Sequence, residues 1–85
     1  MTAIETRIKR ALYRAHHRGT KELDLILGRF AEAELGRLDD AGLVAFEQLL
    51  GLPDPEIDRW IRGEQAPPAL SPMIGLIRRH HRLES

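Results

Sequence analysis

Residues 2–30, TAIETRIKRALYRAHHRGTKELDLILGRF, decide the fold class of this 85-residue chain. Apolar side chains recur every three or four positions on both sides of Gly19. That spacing matches the helical repeat, whereas a half-buried strand would need alternation at every second residue. The stretch therefore predicts two amphipathic helices, the first over residues 3–17 and the second, the longest of the chain, from Thr20 to Gly36.

Capping residues predict where the helices begin and end. Thr2, with Glu5 three positions later, has the pattern of a capping box before the first helix. A third helix of about eleven residues is expected to start at Asp39 or Asp40, both strong N-cap types. Gly51 follows its last apolar residue, where a glycine in the left-handed conformation commonly ends a helix.

Two shorter helices are predicted after this point. The fourth opens with Asp54-Pro55, an N-cap residue followed by proline at the first helical position, and is stopped by Gly63. The double proline within residues 64–70 predicts an extended connector. A fifth helix begins at Ser71, where a serine precedes a proline.

The five helices predict an all-α fold, a small five-helix bundle in one domain over residues 1–85. The chain is too short for a second core, and we expect its C-terminal end to be flexible. Because Trp60 has the helical spacing of the apolar stripe in the fourth helix, we assign it to the core alongside Phe46 and Leu50.

Composition excludes several classes of protein. The chain has no cysteine, which excludes disulfides, iron–sulfur clusters and cysteine-ligated zinc, and favours a cytoplasmic location. No apolar stretch approaches the ~20 residues needed to cross a bilayer, so we expect no membrane insertion. Its apolar content of 42% is too high for a disordered chain.

Charge is unevenly distributed although the formal net charge is zero. Residues 1–21 carry net +5, residues 22–58 net −8, and residues 59–85 have five arginines against two glutamates. This order is expected if oppositely charged helices lie side by side. A zero net charge also argues against a general polyanion binder.

Neither a metal site nor a catalytic site is indicated. The histidines form two adjacent pairs, His16-His17 and His80-His81, whose side chains would diverge by roughly 100° on a helix. We interpret them as solvated polar positions. No nucleophile, acid–base or phosphate-loop pattern is present. The basic run at residues 78–82 leaves one alternative, a small helical nucleic-acid-binding regulator that uses the last helix.

The segment Arg18-Gly19-Thr20-Lys21-Glu22 lies at the turn between the first two helices. Gly19 can adopt the left-handed conformation, Arg18 suits the negative end of the first helix, and Glu22 suits the positive end of the second. Helix capping alone would explain these three residues. They would equally suit a docking site, because a glycine lets another backbone approach between one cation and one anion.

This segment resembles the Arg-Gly-x-x-Glu motif of the SdhE family, the flavinylation and assembly factors of succinate dehydrogenase. The resemblance extends over residues 10–63 and includes Phe30, the Phe46-x-x-Leu49-Leu50 segment and the Asp54-Pro55-Glu56-Ile57-x-x-Trp60-Ile61 block. The C-terminal third matches only loosely, so no function is carried over to it.

The resemblance implies a five-helix domain that binds the flavoprotein subunit of succinate dehydrogenase, and also that of fumarate reductase. Such a factor promotes covalent attachment of FAD to a histidine of that subunit and is a chaperone, not an enzyme. It holds no cofactor stably, because FAD belongs to the partner. The family partner is a protein and not a nucleic acid.

The matching positions Arg18, Gly19 and Glu22 are then expected in the contact with the flavoprotein. Four neighbours extend this predicted interface as its rim. They are Tyr13, Arg14 and His17 on the first helix and Asp24 just after the motif.

Overall fold

The computed structural model describes residues 2–83, so Glu84 and Ser85, at the end expected to be flexible, lie outside the described residues. The helices are α1 (Ala3–His16), α2 (Lys21–Glu34), α3 (Asp40–Leu50), α4 (Asp54–Ile61) and α5 (Ser71–His80), with a 3-10 turn at Leu35–Arg37. Within residues 2–83 there is no strand. The predicted all-α fold with five helices is confirmed, although α1 and α2 are equally long at 14 residues.

Apolar side chains from all five helices form one core. Phe30 of α2 and Phe46 of α3 are completely buried at its centre, with ring centroids 5.7 Å apart. Trp60 of α4 is buried in the same core, together with Leu50. The assignment of Trp60 to the core is therefore confirmed.

Two of the predicted N-caps are present. Thr2 Oγ1 accepts a hydrogen bond from the Glu5 backbone N–H at 3.2 Å, and Asp39 Oδ1 accepts one from the Gly42 N–H at 2.7 Å. These bonds satisfy backbone donors that the first turn of a helix leaves without a partner. The starts of α1 and α3 are thus determined by residues within three positions of the cap.

Packing of α1 against the acidic middle of the chain explains the charge pattern. The Arg7 guanidinium donates to both carboxylate oxygens of Glu47, at 2.6 and 3.2 Å, and to Asp40 at 3.2 Å. These bonds hold the pKa of the Glu47 carboxyl below its ordinary value. The basic first helix therefore lies beside the acidic third helix, as the charge order predicts.

The interpretation of the histidines as solvated is confirmed for His17 and His80, which are exposed, whereas His16 and His81 are partly buried. Three of the four, including the exposed His80, also have a partner in α2, because the end of α1 and the end of α5 both lie beside that helix. The contacts are His16 Nε2 to Glu32 Oε1 at 2.8 Å, His80 Nδ1 to Glu34 Oε1 at 3.7 Å, and His81 Nε2 to the Ile26 carbonyl at 2.8 Å.

The second histidine pair also differs from the expected geometry. The rings of His80 and His81 meet edge to face, with centroids 4.9 Å apart, because α5 ends at His80 and His81 leaves the helical direction. Across residues 2–83 no group of three or more possible metal ligands forms. Nor does any helix in that range combine the length and apolar character needed to cross a membrane.

Candidate functional site

The turn between α1 and α2 presents Gly19 to solvent in the left-handed region. Its φ is +98°, and a Cβ added there would meet no atom within 4 Å. Residues with a side chain rarely adopt such a φ. The backbone conformation therefore requires glycine, although there is room for a side chain. The predicted left-handed, exposed glycine is confirmed.

Arg18 points inward, away from solvent. Only 11% of its side chain is exposed, and its Nε and Nη2 donate to Asp54 Oδ1 at 2.9 and 2.7 Å. Nη1 donates to the Leu50 carbonyl, and Nη2 also donates to the Leu52 carbonyl at 2.8 Å. The guanidinium therefore satisfies the carboxyl end of α3, and the expectation that Arg18 serves the end of α1 is corrected.

This arginine also explains two errors in the predicted capping. Gly51 has φ −82° and is not left-handed, since Arg18 already supplies donors to the neighbouring carbonyls. Asp54 is not an N-cap: Pro53 holds that position, Asp54 and Pro55 are the first two helical residues, and the Asp54 carboxylate bonds Arg18 instead.

Asp24 holds the same turn from the other side. Its carboxylate accepts a hydrogen bond from the Arg18 backbone N–H at 2.5 Å, and the side chain is half-buried in the first turn of α2. Thr20 adds a weaker bond to Asp54 at 3.4 Å. Asp24, predicted at the rim of the interface, thus has a structural partner inside the chain.

Glu22 stands out from this cluster because 70% of its side chain is exposed. It lies in the first turn of α2, where a negative charge complements the helix dipole, as predicted. Its carboxylate is 4.0 Å from Arg62, the residue just after α4, and Arg62 bonds Asp58 at 2.8 Å. Glu22 borders a cleft of about 380 Å³ between α2 and α4, with Leu23 and Pro55 in its wall.

The last turns of α1 carry the other rim residues. Tyr13 and His17 stack with ring centroids 4.1 Å apart, and His17 Nδ1–H donates to the Tyr13 carbonyl at 2.8 Å. Tyr13 is 65% exposed, and Arg14 beside it is also exposed. Tyr13 and Arg14, together with Lys9, line a shallow cleft of about 350 Å³. The spacing of four between Tyr13 and His17 could have predicted their stacking.

The structure thus divides the predicted site residues into two groups. Gly19, Glu22, Tyr13, Arg14 and His17 are exposed and available for contact. Arg18 and Asp24 are engaged within the chain.

Asp54 is the residue that the sequence analysis of the site missed. Its carboxylate organises the turn by accepting the bonds from Arg18 and Thr20. The only signal was its place in the Asp54-Pro55 block, which local capping already explained.

Some of the basic side chains at the end of the chain form hydrogen bonds within the protein. Arg78 donates to the Ile61 carbonyl and, at 2.8 Å, to the Leu83 carbonyl, while His81 bonds α2. A phosphate-binding surface needs basic side chains that are free to reach the nucleic acid. Arg79 and Arg82 remain exposed, so the nucleic-acid-binding regulator stays an untested alternative.

Comparison with known proteins gives one family. Residues 9–81 match the family described as flavinator of succinate dehydrogenase. A protein named FAD assembly factor SdhE from Acetobacter pasteurianus is 36% identical over 77 residues, which cover 84% of this chain and 71% of that protein. Another FAD assembly factor SdhE, from Legionella pneumophila, is 38% identical over 75% of this chain and 81% of its own length.

A eukaryotic relative is longer. The mitochondrial succinate dehydrogenase assembly factor 2 of Mycosarcoma maydis is 45% identical over 67 residues, 79% of this chain but only 28% of that protein. No solved structure gives a significant match. Because the family match covers most of the chain, the chain belongs to the family of flavinators of succinate dehydrogenase.

Proposed function

We propose that this chain binds the flavoprotein subunit of succinate dehydrogenase and promotes the covalent attachment of FAD to it. It acts as an assembly factor and not as the catalyst, and it holds no FAD stably. Family membership supports the flavoprotein subunit as the partner and the covalent attachment of FAD as the result. The α1–α2 turn supports the manner of binding.

One observation carries the binding mode: Gly19 is exposed at φ +98° with open space around it, beside the largely exposed Glu22. A partner backbone can approach a residue without a side chain, and a neighbouring carboxylate can then accept its N–H groups or pair with a cation. The Tyr13–His17 stack and Arg14 add aromatic and basic surface, which suits a protein interface.

Co-expression tests the function directly. The cognate flavoprotein subunit is produced with and without this chain, and flavin fluorescence is measured in a denaturing gel, where only covalently bound FAD remains. We expect strong fluorescence with the chain and little without it. Equal fluorescence in both samples would overturn the proposal. A Glu22→Ala variant should lose the effect, whereas Glu64→Ala, at another exposed glutamate, should retain it.

The same assay with the flavoprotein subunit of fumarate reductase tests a second client, which is part of this proposal. The proposed place of action is the cytoplasm, since a cysteine-free chain suits a reducing compartment. Titration with duplex DNA at two salt concentrations separates the nucleic-acid alternative, because a phosphate binder must weaken steeply as salt rises.

A further inference from the structure

We propose that Asp54 is a positioning residue for partner binding. Asp54 and Arg18 form a clamp, the pair that holds the α1–α2 turn against the turn between α3 and α4. This clamp fixes the positions of Gly19 and Glu22. Arg18 then acts through the turn and does not touch the partner. The inference rests on the proposed function, which supplies the partner.

Burial and direction of the side chains support the clamp. Arg18 and Asp54 are only 11% and 18% exposed and pair at 2.7 Å, whereas the other arginine pairs near the turn are largely exposed. A partner could reach the Arg18 guanidinium only by breaking bonds to Asp54 and to two backbone carbonyls. Those carbonyls would then be left without donors, which is costly when they are shielded from water.

Arg18 is hydrogen-bonded through both its backbone and its side chain, so the clamp fixes the conformation of the turn. Its backbone N–H donates to Asp24 in α2, and its guanidinium donates to Asp54 in α4. Gly19 follows immediately, so its position is determined by the residue that the two carboxylates hold. Thr20 bonds Asp54 as well, which ties the residue on the far side of Gly19 to the same anchor.

The chemistry of the clamp requires arginine specifically. Four hydrogen bonds leave the guanidinium in its plane, to one carboxylate oxygen and two carbonyls. Lysine carries the same charge at a single point and cannot reproduce this fork. Arg18→Lys therefore separates the two roles, because it would preserve a simple charge contact with the partner but break the clamp.

The test combines affinity with local hydrogen exchange. Titration calorimetry with the cognate flavoprotein subunit gives Kd for Arg18→Ala, Arg18→Lys, Asp54→Ala and the double alanine variant. Amide exchange of residues 18–22 in the free chain measures how firmly the turn is held. Asp54→Asn, which keeps the shape of the side chain, replaces Asp54→Ala if the latter does not fold. Arg59→Ala removes an exposed pair with Glu64, at 3.3 Å, and is the matched control.

We expect each clamp variant to weaken binding by on the order of tenfold, and the double variant to be no weaker than either single one, because both residues serve one interaction. Exchange at residues 18–22 should accelerate in these variants and not in Arg59→Ala. Glu22→Ala should lose binding without changing exchange, since Glu22 contacts the partner and does not hold the turn.

Two results would overturn the clamp. One is retention of binding by Arg18→Lys within threefold of the parent, and the other is a loss confined to the Arg18 variants while Asp54→Ala binds normally. Either would place Arg18 in direct contact with the partner. Absence of binding by the unaltered chain would instead overturn the proposed function, and the exchange data would still measure the clamp alone.

Discussion

The imidazole ring of His16 occupies the space that a side chain at position 28 would need. A Cβ added to Gly28 would lie 2.6 Å from the ring carbon Cε1 of His16, well inside van der Waals contact. The same ring reaches past the glycine to pair with Glu32 at 2.8 Å. A glycine in the middle of α2 is therefore explained by close packing of α1, not by a turn.

Gly28→Ala tests this packing against helix propensity. Alanine is favoured over glycine inside a helix by about 1 kcal/mol, but here the methyl group must displace the His16 ring. We expect Gly28→Ala to stabilise a His16→Ala background by about that amount and to give little or no gain in the parent chain. Urea denaturation of the four proteins measures the difference. An equal gain in both backgrounds would show that the ring moves freely.

Arg18→Ala should destabilise the fold by about 2–4 kcal/mol, because it leaves the Asp54 carboxylate and two carbonyls without their donors. From sequence alone the dipole argument allows only about 0.3–1 kcal/mol. Denaturant unfolding distinguishes the two, with Arg59→Ala as the control expected within about 0.5 kcal/mol of the parent. A loss below 1 kcal/mol would contradict the buried hydrogen bonding of the Arg18 guanidinium.

Gly19→Arg should damage partner binding more than stability. The positive φ adds about 1 kcal/mol of backbone strain, while the open surroundings allow the side chain to project into solvent, where it obstructs a partner. Melting temperature and flavoprotein affinity are measured on the same sample. Gly36→Arg is the control, because its surroundings are equally open but its φ is not positive. Parallel loss of binding and folding would show that the Arg-Gly-x-x-Glu motif serves only in helix capping.

Acid should remove the contribution of Glu47 to stability. The two hydrogen bonds from Arg7 lower the pKa of Glu47 in the folded chain below its ordinary value of 4.5. Folding therefore favours the charged carboxylate, so the stabilisation is fully present above about pH 4.5 and is lost as pH falls through the lowered pKa. Glu47→Gln should be less stable than the parent at neutral pH, and the difference should vanish in acid. Arg7→Gln should abolish the same pH dependence.

Trp60→Ala should cost about 3–5 kcal/mol, as expected for removing a large side chain from a core. Because Trp60 is the only tryptophan, its fluorescence should be blue-shifted in the folded chain and shift to the red on unfolding. Trp60→Phe is the milder control, since it keeps an aromatic ring in the core. A cost near zero would place Trp60 on the surface and at the partner interface.

The sequence by itself determined those features that depend on near neighbours. Thr2 was predicted correctly as an N-cap, and Asp39 was one of the two candidates for the third helix, because each bonds an amide three residues away. The left-handed Gly19 and the place of Glu22 in the first turn of α2 followed from their positions at the ends of adjacent helices. These features depend on residues within about one helical turn of each other, so the local sequence contains both partners.

Tertiary structure alone decided what Arg18, Gly51 and Asp54 do. Local rules assigned a left-handed cap to Gly51 and an N-cap to Asp54, and each assignment would have been sound for an isolated helix. The packing of α1 on α3 brings in a guanidinium from 32 to 36 residues away, which satisfies the carbonyls and takes the carboxylate. A backbone carbonyl accepts any donor that reaches it, and which donor reaches it depends on how the helices pack.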